Sequence, residues 1–131
     1  EAGAYRESAE AGDADAQFCL GKCYEGGKGV DQDFSEAIAW YRKAAEQGHA
    51  DAQNALANAY AYGIHLAQDY DQAVGWYVKA AEQGHADAQY AMGMNYSYGI
   101  GVQQDNDQAV RWYQLAADQG HAKATEALEQ L

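Results

Sequence analysis

The ten residues AAEQGHADAQ at 44–53 recur letter for letter at 80–89, 36 positions further on. Self-similarity at a fixed period of about 20–50 residues marks an array of stacked units. Three units align outward from this decapeptide without a gap. They are GDADAQFCLGKCYEGGKGVDQDFSEAIAWYRKAAEQ (12–47), GHADAQNALANAYAYGIHLAQDYDQAVGWYVKAAEQ (48–83) and GHADAQYAMGMNYSYGIGVQQDNDQAVRWYQLAADQ (84–119). A partial unit precedes them over 1–11, where AYRESAEA (4–11) lines up with the end of a repeat. Another follows over 120–131, where GHAKATEALEQL restarts one. The expected organisation is one repeat domain over 1–131.

Each unit reads as two helices, A and B. In the second unit Ala52, Ala55, Leu56, Ala59 and Tyr60 fall at i, i+3, i+4, i+7 and i+8, a helical apolar stripe. Ala16, Cys19, Leu20, Cys23 and Tyr24 match them in the first unit, and Ala88, Ala91, Met92, Asn95 and Tyr96 in the third. Helix B carries its own stripe of Ala37, Trp40, Tyr41, Ala44 and Ala45, repeated around Trp76 and Trp112. The runs DFSE, DYDQ and DNDQ place Asp33, Asp69 and Asp105 three residues before Glu or Gln, a capping-box spacing at the start of helix B. Gly27, Gly63 and Gly99 after helix A, and Gly48, Gly84 and Gly120 after helix B, stand where a left-handed residue ends a helix. One helical pair cannot bury its apolar face alone, whereas stacked pairs can. The expected fold is therefore all-α: an α-solenoid, a right-handed superhelix of antiparallel helix-turn-helix repeats of 36 residues. The decapeptide is its inter-repeat joint.

Composition removes several function classes. Twenty acidic residues face eight basic ones, for a net charge of −12. That balance opposes binding to nucleic acid, which needs a basic patch, and to anionic membrane surfaces. It favours a basic or neutral partner. No apolar run approaches the ~20 residues of a membrane span, so no membrane insertion is expected. No signal peptide is visible, and the chain starts at Glu1 without Met, as a mature or trimmed form does. Two cysteines are too few for a disulfide framework.

The pattern A-x-x-x-L-G-x-x-Y-x-x-G-x-G-V followed by D-x-x-x-A-x-x-W-Y-x-x-A-A-x-x-G-x-A-x-A resembles the Sel1-like repeat, a relative of the tetratricopeptide repeat with a longer A–B loop. Ala16, Leu20, Gly21, Tyr24, Gly29, Val30, Asp33, Ala37, Trp40, Tyr41, Ala44 and Ala45 all fall on it, and the likeness runs from about residue 4 to 131. Ala57 departs from it in helix A of the second unit. His65 also departs, standing where Gly29 and Gly101 stand in the other loops. If that position needs positive φ, His65 carries strain that glycine avoids. The resemblance implies a non-catalytic protein-interaction module, a scaffold or adaptor, with bacterial signalling, envelope assembly and host contact as settings. It leans toward the periplasm or a secreted location.

No catalytic constellation is expected, since Ser8, Ser35 and Ser97 have no His and acid partners suggested by the repeat, and no cofactor is implied. GGKGVD at 26–31 lacks the preceding strand and the G-K-[ST] ending of a phosphate loop. His49, His85 and His121 recur at the repeat period, but neighbouring repeats lie roughly 8–10 Å apart. Ligands of one zinc each lie about 2 Å from it, so no metal is expected and the histidines read as turn residues. Cys19 and Cys23 match small core residues in the other units and read as packing. Trp40, Trp76 and Trp112 read as a core ladder.

Binding residues are sought where the units disagree. Phe18 becomes Asn54 and then Tyr90. Lys22 becomes Asn58 and Met94, Glu25 becomes Ala61 and Ser97, and Gly26 becomes Tyr62 and Tyr98. These positions share one face of helix A, offset from the core stripe. By analogy with tetratricopeptide arrays that face lines a concave groove, with Asp15, Asp51 and Asp87 at its rim selecting a basic partner. The expected function is recognition of a peptide or protein segment there. A structural spacer and a carbohydrate or cell-wall binder are the alternatives. Ala124, Ala127, Leu128 and Leu131 lack a following helix B, so self-association through the solenoid ends is also expected.

Overall fold

The computed structural model describes residues 2–131 as eight helices and, among the described residues, no strand. They are α1 (Ala2–Glu10), α2 (Ala14–Gly26), α3 (Phe34–Glu46), α4 (Ala50–Tyr62), α5 (Tyr70–Glu82), α6 (Ala86–Tyr98), α7 (Asn106–Asp118) and α8 (Ala122–Glu129). The extensive contacts all join consecutive helices, as in a solenoid. α2, α4, α6 and α8 are A helices, and α1, α3, α5 and α7 are B helices.

The helix ends follow the sequence signals. Asp33, Asp69 and Asp105 cap α3, α5 and α7, each accepting the N–H three residues on at 3.1–3.2 Å. Gly27, Gly63 and Gly99 end the A helices in left-handed conformation. His65 adopts φ 65°, the one non-glycine residue with positive φ among those described. Its ring stacks on Phe34 at a centroid distance of 3.6 Å, which offsets the local strain.

The decapeptide is a joint in which nearly every letter has a contact. Ala44 and Ala45 are buried at the end of α3. Gly48 has φ 93°, so that His49 N–H reaches back to Ala44 O at 3.1 Å and closes the helix. His49 then caps α4, its Nδ1 accepting from Ala52 N–H at 3.1 Å. With Nδ1 accepting, the neutral ring carries its proton on Nε2, which donates to Asp15 Oδ1 of the preceding repeat at 2.8 Å. His85 with Asp51 and His121 with Asp87 repeat this at 2.9 Å. Gln53 is buried. Its Nε2 donates to Ala45 O at 3.1 Å, and its Oε1 accepts from Gln83 of the next joint at 2.9 Å. Gln17 and Gln89 do the same with Gln47 and Gln119. A chain of paired amides, one of each pair buried, and His–Asp links thus ties each repeat to the next.

The core is small-residue and layered. Alanines let the helices approach closely, and Leu20, Leu56 and Met92 fill the centre of the A helices. The tryptophan ladder is only partly a core feature: Trp40 is buried, but Trp76 and Trp112 are half-buried. The deep aromatic of helix B is the adjacent tyrosine, Tyr41, Tyr77 or Tyr113. Glycine in helix A explains the choice in two repeats. A Cβ on Gly21 would lie 2.8 Å from the Tyr41 ring, and one on Gly93 2.4 Å from that of Tyr113. The tyrosine ring occupies the space that the missing side chain leaves; in the middle repeat, where Ala57 stands instead of glycine, Lys79 Nζ lies 4.6 Å from the ring centroid of the half-buried Trp76.

The last helix drops these devices. Lys123, Thr125 and Glu129 of α8 stand where Asp87, Gln89 and Gly93 stand in α6. A helix pair stacked on α8 in the same register would meet neither the carboxylate nor the amide, and its tyrosine would meet Glu129. Ala124 is buried, Ala127 and Leu128 are half-buried, and Leu131 is exposed.

Candidate functional site: a row of notches along helix A

Opposite the joints, α2, α4 and α6 each meet the B helix of the preceding repeat at an open notch, the three in equivalent positions. The first, of about 490 Å³, lies between α1 and α2 and is lined by Tyr5, Cys19, Lys22, Cys23, Glu25 and Lys28. The second, of about 260 Å³, lies between α3 and α4 with Tyr41, Ala55, Asn58, Ala59, Ile64 and His65, and Glu25 reaches it too. The third, of about 150 Å³, lies between α5 and α6 with Tyr77, Ala91, Met94, Asn95 and Ile100, joined by Tyr62, Tyr70 and Val74. Tyr5, Tyr41 and Tyr77 are one position in the repeat, as are Lys22, Asn58 and Met94, and Lys28, Ile64 and Ile100. The framework is constant and the chemistry changes from thiol and ammonium to polar to aromatic and apolar.

Tyrosines form the constant wall, Tyr5 half-buried and Tyr41 and Tyr77 buried. Tyr41 Oη donates to Glu25 Oε1 at 2.6 Å, and Tyr77 Oη donates to Asn58 Oδ1. Burial pushes both phenols above their ordinary pKa; at Tyr41 the Glu25 carboxylate adds to the effect. Tyr113 is pushed up to about 12, by burial first and then by its neighbour Tyr90.

The sequence-derived groove residues divide into four groups. Lys22, Glu25, Asn58, Tyr62 and Met94 line the notches. Tyr98, 71% exposed, stands at the end of α6 at the position that Tyr62, 62% exposed, holds on α4. Asp15, Asp51 and Asp87 lie in the joints, each bound to the histidine of the next repeat. Phe18, Asn54, Tyr90 and Ser97 are half-buried, and three of them pack within the fold. Phe18 packs between Tyr41 and His49 at 5.6 and 4.9 Å between centroids, and Tyr90 packs likewise on Tyr113 and His121. Ser97 lies beside the Tyr113 hydroxyl. In the middle repeat Asn54 replaces that aromatic layer, and its Oδ1 is buried with no donor.

The tyrosine wall, Ile100, and Asn95 were not singled out as binding residues from sequence, although position 95 varied (Cys23, Ala59, Asn95) and so carried the signal. Both cysteines are free; Cys23 is buried beside Trp40 and Cys19 faces the first notch. Among the described residues no three His, Cys, Asp or Glu side chains converge as a metal site, and no helix is long and apolar enough to cross a membrane.

The chain matches the Sel1 repeat at residues 14–49, 50–85 and 86–121, each match starting at the first residue of an A helix. A Sel1 repeat protein from Oxalobacter formigenes is 41% identical, with 97% of this chain and 96% of that one superposed at a TM-score of 0.93. A protective antigen present in uropathogenic Escherichia coli strains, displaying an SLR fold, is 40% identical over 92% of this chain at a TM-score of 0.88. This chain spans 26% of that antigen's length. Helicobacter pylori cysteine rich protein B, 22% identical over 95% of this chain and 89% of its own, shares the fold at a TM-score of 0.73. No curated protein matches the chain.

Proposed function

Because the chain belongs to the Sel1 repeat family, whose repeats generally build non-catalytic protein-interaction scaffolds, we propose that it grips an extended segment of a partner protein along the row of notches. One observation carries this reading: three equivalent cavities with a constant tyrosine wall and a lining that changes at every step. A structural surface needs no such variation, whereas a surface that reads a sequence does. Neighbouring repeats are roughly 8–10 Å apart, and an extended polyproline-II segment advances about 3.1 Å per residue with three residues per turn, so side chains three apart share a face. Successive notches therefore take side chains about three residues apart. The net charge of −12 steers a basic partner toward the molecule.

A photo-crosslinking amino acid at Lys22, Tyr62 or Met94 tests this. Crosslinks to one partner segment from these three positions are expected, and none from the exposed helix B positions Ala39 and Glu46. Equal crosslinking from both faces would put the binding surface elsewhere.

A further inference from the structure

We propose that the second notch is the receptor for a basic side chain, lysine fitting best, presented by an extended partner segment and held by the Glu25 carboxylate. The proposal rests on the peptide-binding reading of the notch row and names what its middle position selects.

Glu25 stands near the end of α2 and lines the notch between α3 and α4. Its side chain is 45% exposed, so an incoming group can touch it. Its position is fixed, because Oε1 accepts from the hydroxyl of buried Tyr41 at 2.6 Å. Among the described residues the one ion-pair contact of Oε2 is His65 Nε2 at 3.9 Å, beyond hydrogen-bond reach. Lys22 and Lys28 share the first notch with Glu25, yet neither forms an ion pair with it. Oε2 is therefore left for a donor from outside. The stack does not require an acid at this position. Ala61 holds it in the second repeat and Ser97 in the third, and Tyr77 donates to Asn58 instead.

The lining defines the rest of the ligand. Ile38, Tyr41, Ala55, Ala59 and Ile64 give the notch, of about 260 Å³, apolar walls beside the carboxylate. Lysine lays its aliphatic stem along such walls and keeps its ammonium at the wet rim. No Lys or Arg lines this notch to repel it. One open oxygen suits a point charge better than the arginine fork, which takes both oxygens of a carboxylate. The net charge of −12 draws a basic segment toward the whole surface. Charges farther apart than about 8 Å are largely screened at physiological salt. A carboxylate in the notch therefore decides which residue of that segment must be basic.

The test uses a displayed library of random nine-residue peptides, selected on the wild-type chain at low salt. Each binder is then resynthesised with Lys, Arg, Gln, Leu or Glu at every position. At one position wild type should prefer Lys over Gln about three- to tenfold, with Arg no better than Lys, and the preference should shrink as salt is raised. Glu25→Gln keeps an acceptor for Tyr41, and it should lose that preference while still binding through the other notches. Glu46→Gln removes the same charge from an exposed helix B position and should keep the preference. No Lys preference in wild type, one that survives Glu25→Gln, or one that Glu46→Gln weakens as much, would overturn the proposal and leave the peptide-binding reading standing. Arg favoured over Lys would overturn the choice of lysine. No binding by wild type at all would overturn both readings. The free protein gives a second readout: Glu25→Gln should melt within about 2 °C of wild type. A much lower melting point would mean that the fold itself uses the charge, and would overturn the proposal.

Discussion

The joints and the notches are two edges of the same stack, built by the same helices, and they treat sequence in opposite ways. At the two inner joints AAEQGHADAQ repeats without change, because nearly every letter contacts a neighbouring repeat or closes a helix: alanine for close approach, glutamine for the amide chain, glycine for the turn, histidine for the cap. In the notches only the tyrosine wall is kept, and positions 22, 58 and 94 run lysine, asparagine, methionine. Variation is greatest where the stack depends least on the side chain. The joints hold the molecule together, and the notches are free to specialise.

Four changes would break or sharpen that contrast. The largest effect is expected at the one notch element the core shares: Tyr77→Ala should cost about 3–5 kcal/mol in chemical denaturation. Trp76→Ala, half-buried, should cost less than half of that. Equal losses would restore the tryptophan ladder as the core. Next, Gln53→Ala removes the buried amide that links Ala45 O to the Gln83 side chain, leaving Ala45 O only the Gly48 N–H. It should cost about 2 kcal/mol in the same experiment, with little loss expected from removing an exposed glutamine such as Gln103.

Alkaline pH should act on the tyrosine wall. An unfolded tyrosine loses its proton near pH 10, whereas folded Tyr113 keeps it to about 12 and Tyr41 and Tyr77 are also raised. Above about pH 10 the unfolded chain holds fewer protons, so stability, complete below that pH, should fall as pH rises. Urea midpoints between pH 8 and 11.5, taken on wild type and Tyr77→Phe, would check this; the Phe variant should decline less steeply. The smallest of the four is the cap: His85→Ala should cost about 1 kcal/mol and His85→Asn should recover most of it, read from thermal midpoints.

Much of this was legible in the sequence. The period gave the repeats, the Asp-x-x-Glu/Gln spacing gave the helix B caps, the glycines gave the turns, and His65 stood out as a non-glycine at a glycine position. Those features are local, so one unit carries the whole signal. The joint network was not legible in the same way. Gln53 to Gln83 and Asp51 to His85 are bonds across 30 and 34 residues between repeats, and no periodicity within a helix announces them. Their trace was the identity of polar letters in a segment where only the alanines and glycine needed to recur. Tyr77 and Trp76 were equally placed on the helix B stripe. In the first and third repeats the signal that favours tyrosine is the glycine opposite, Gly21 or Gly93. Phe18 and Tyr90 looked like groove residues because they vary, and in the structure they pack against the joint histidines.

The central claim is tested most directly by measuring stability and peptide binding together on two variants. One carries Gln53→Ala and His85→Ala in the joints; the other carries Lys22→Ala, Tyr62→Ser and Met94→Ser in the notches. The account predicts that the joint variant loses about 3 kcal/mol and, where folded, binds library-selected peptides as wild type does. The notch variant should melt within about 2 °C of wild type and lose that binding. A notch variant that unfolds as readily as the joint variant, or that binds peptide unchanged, would contradict the division of labour between the two edges.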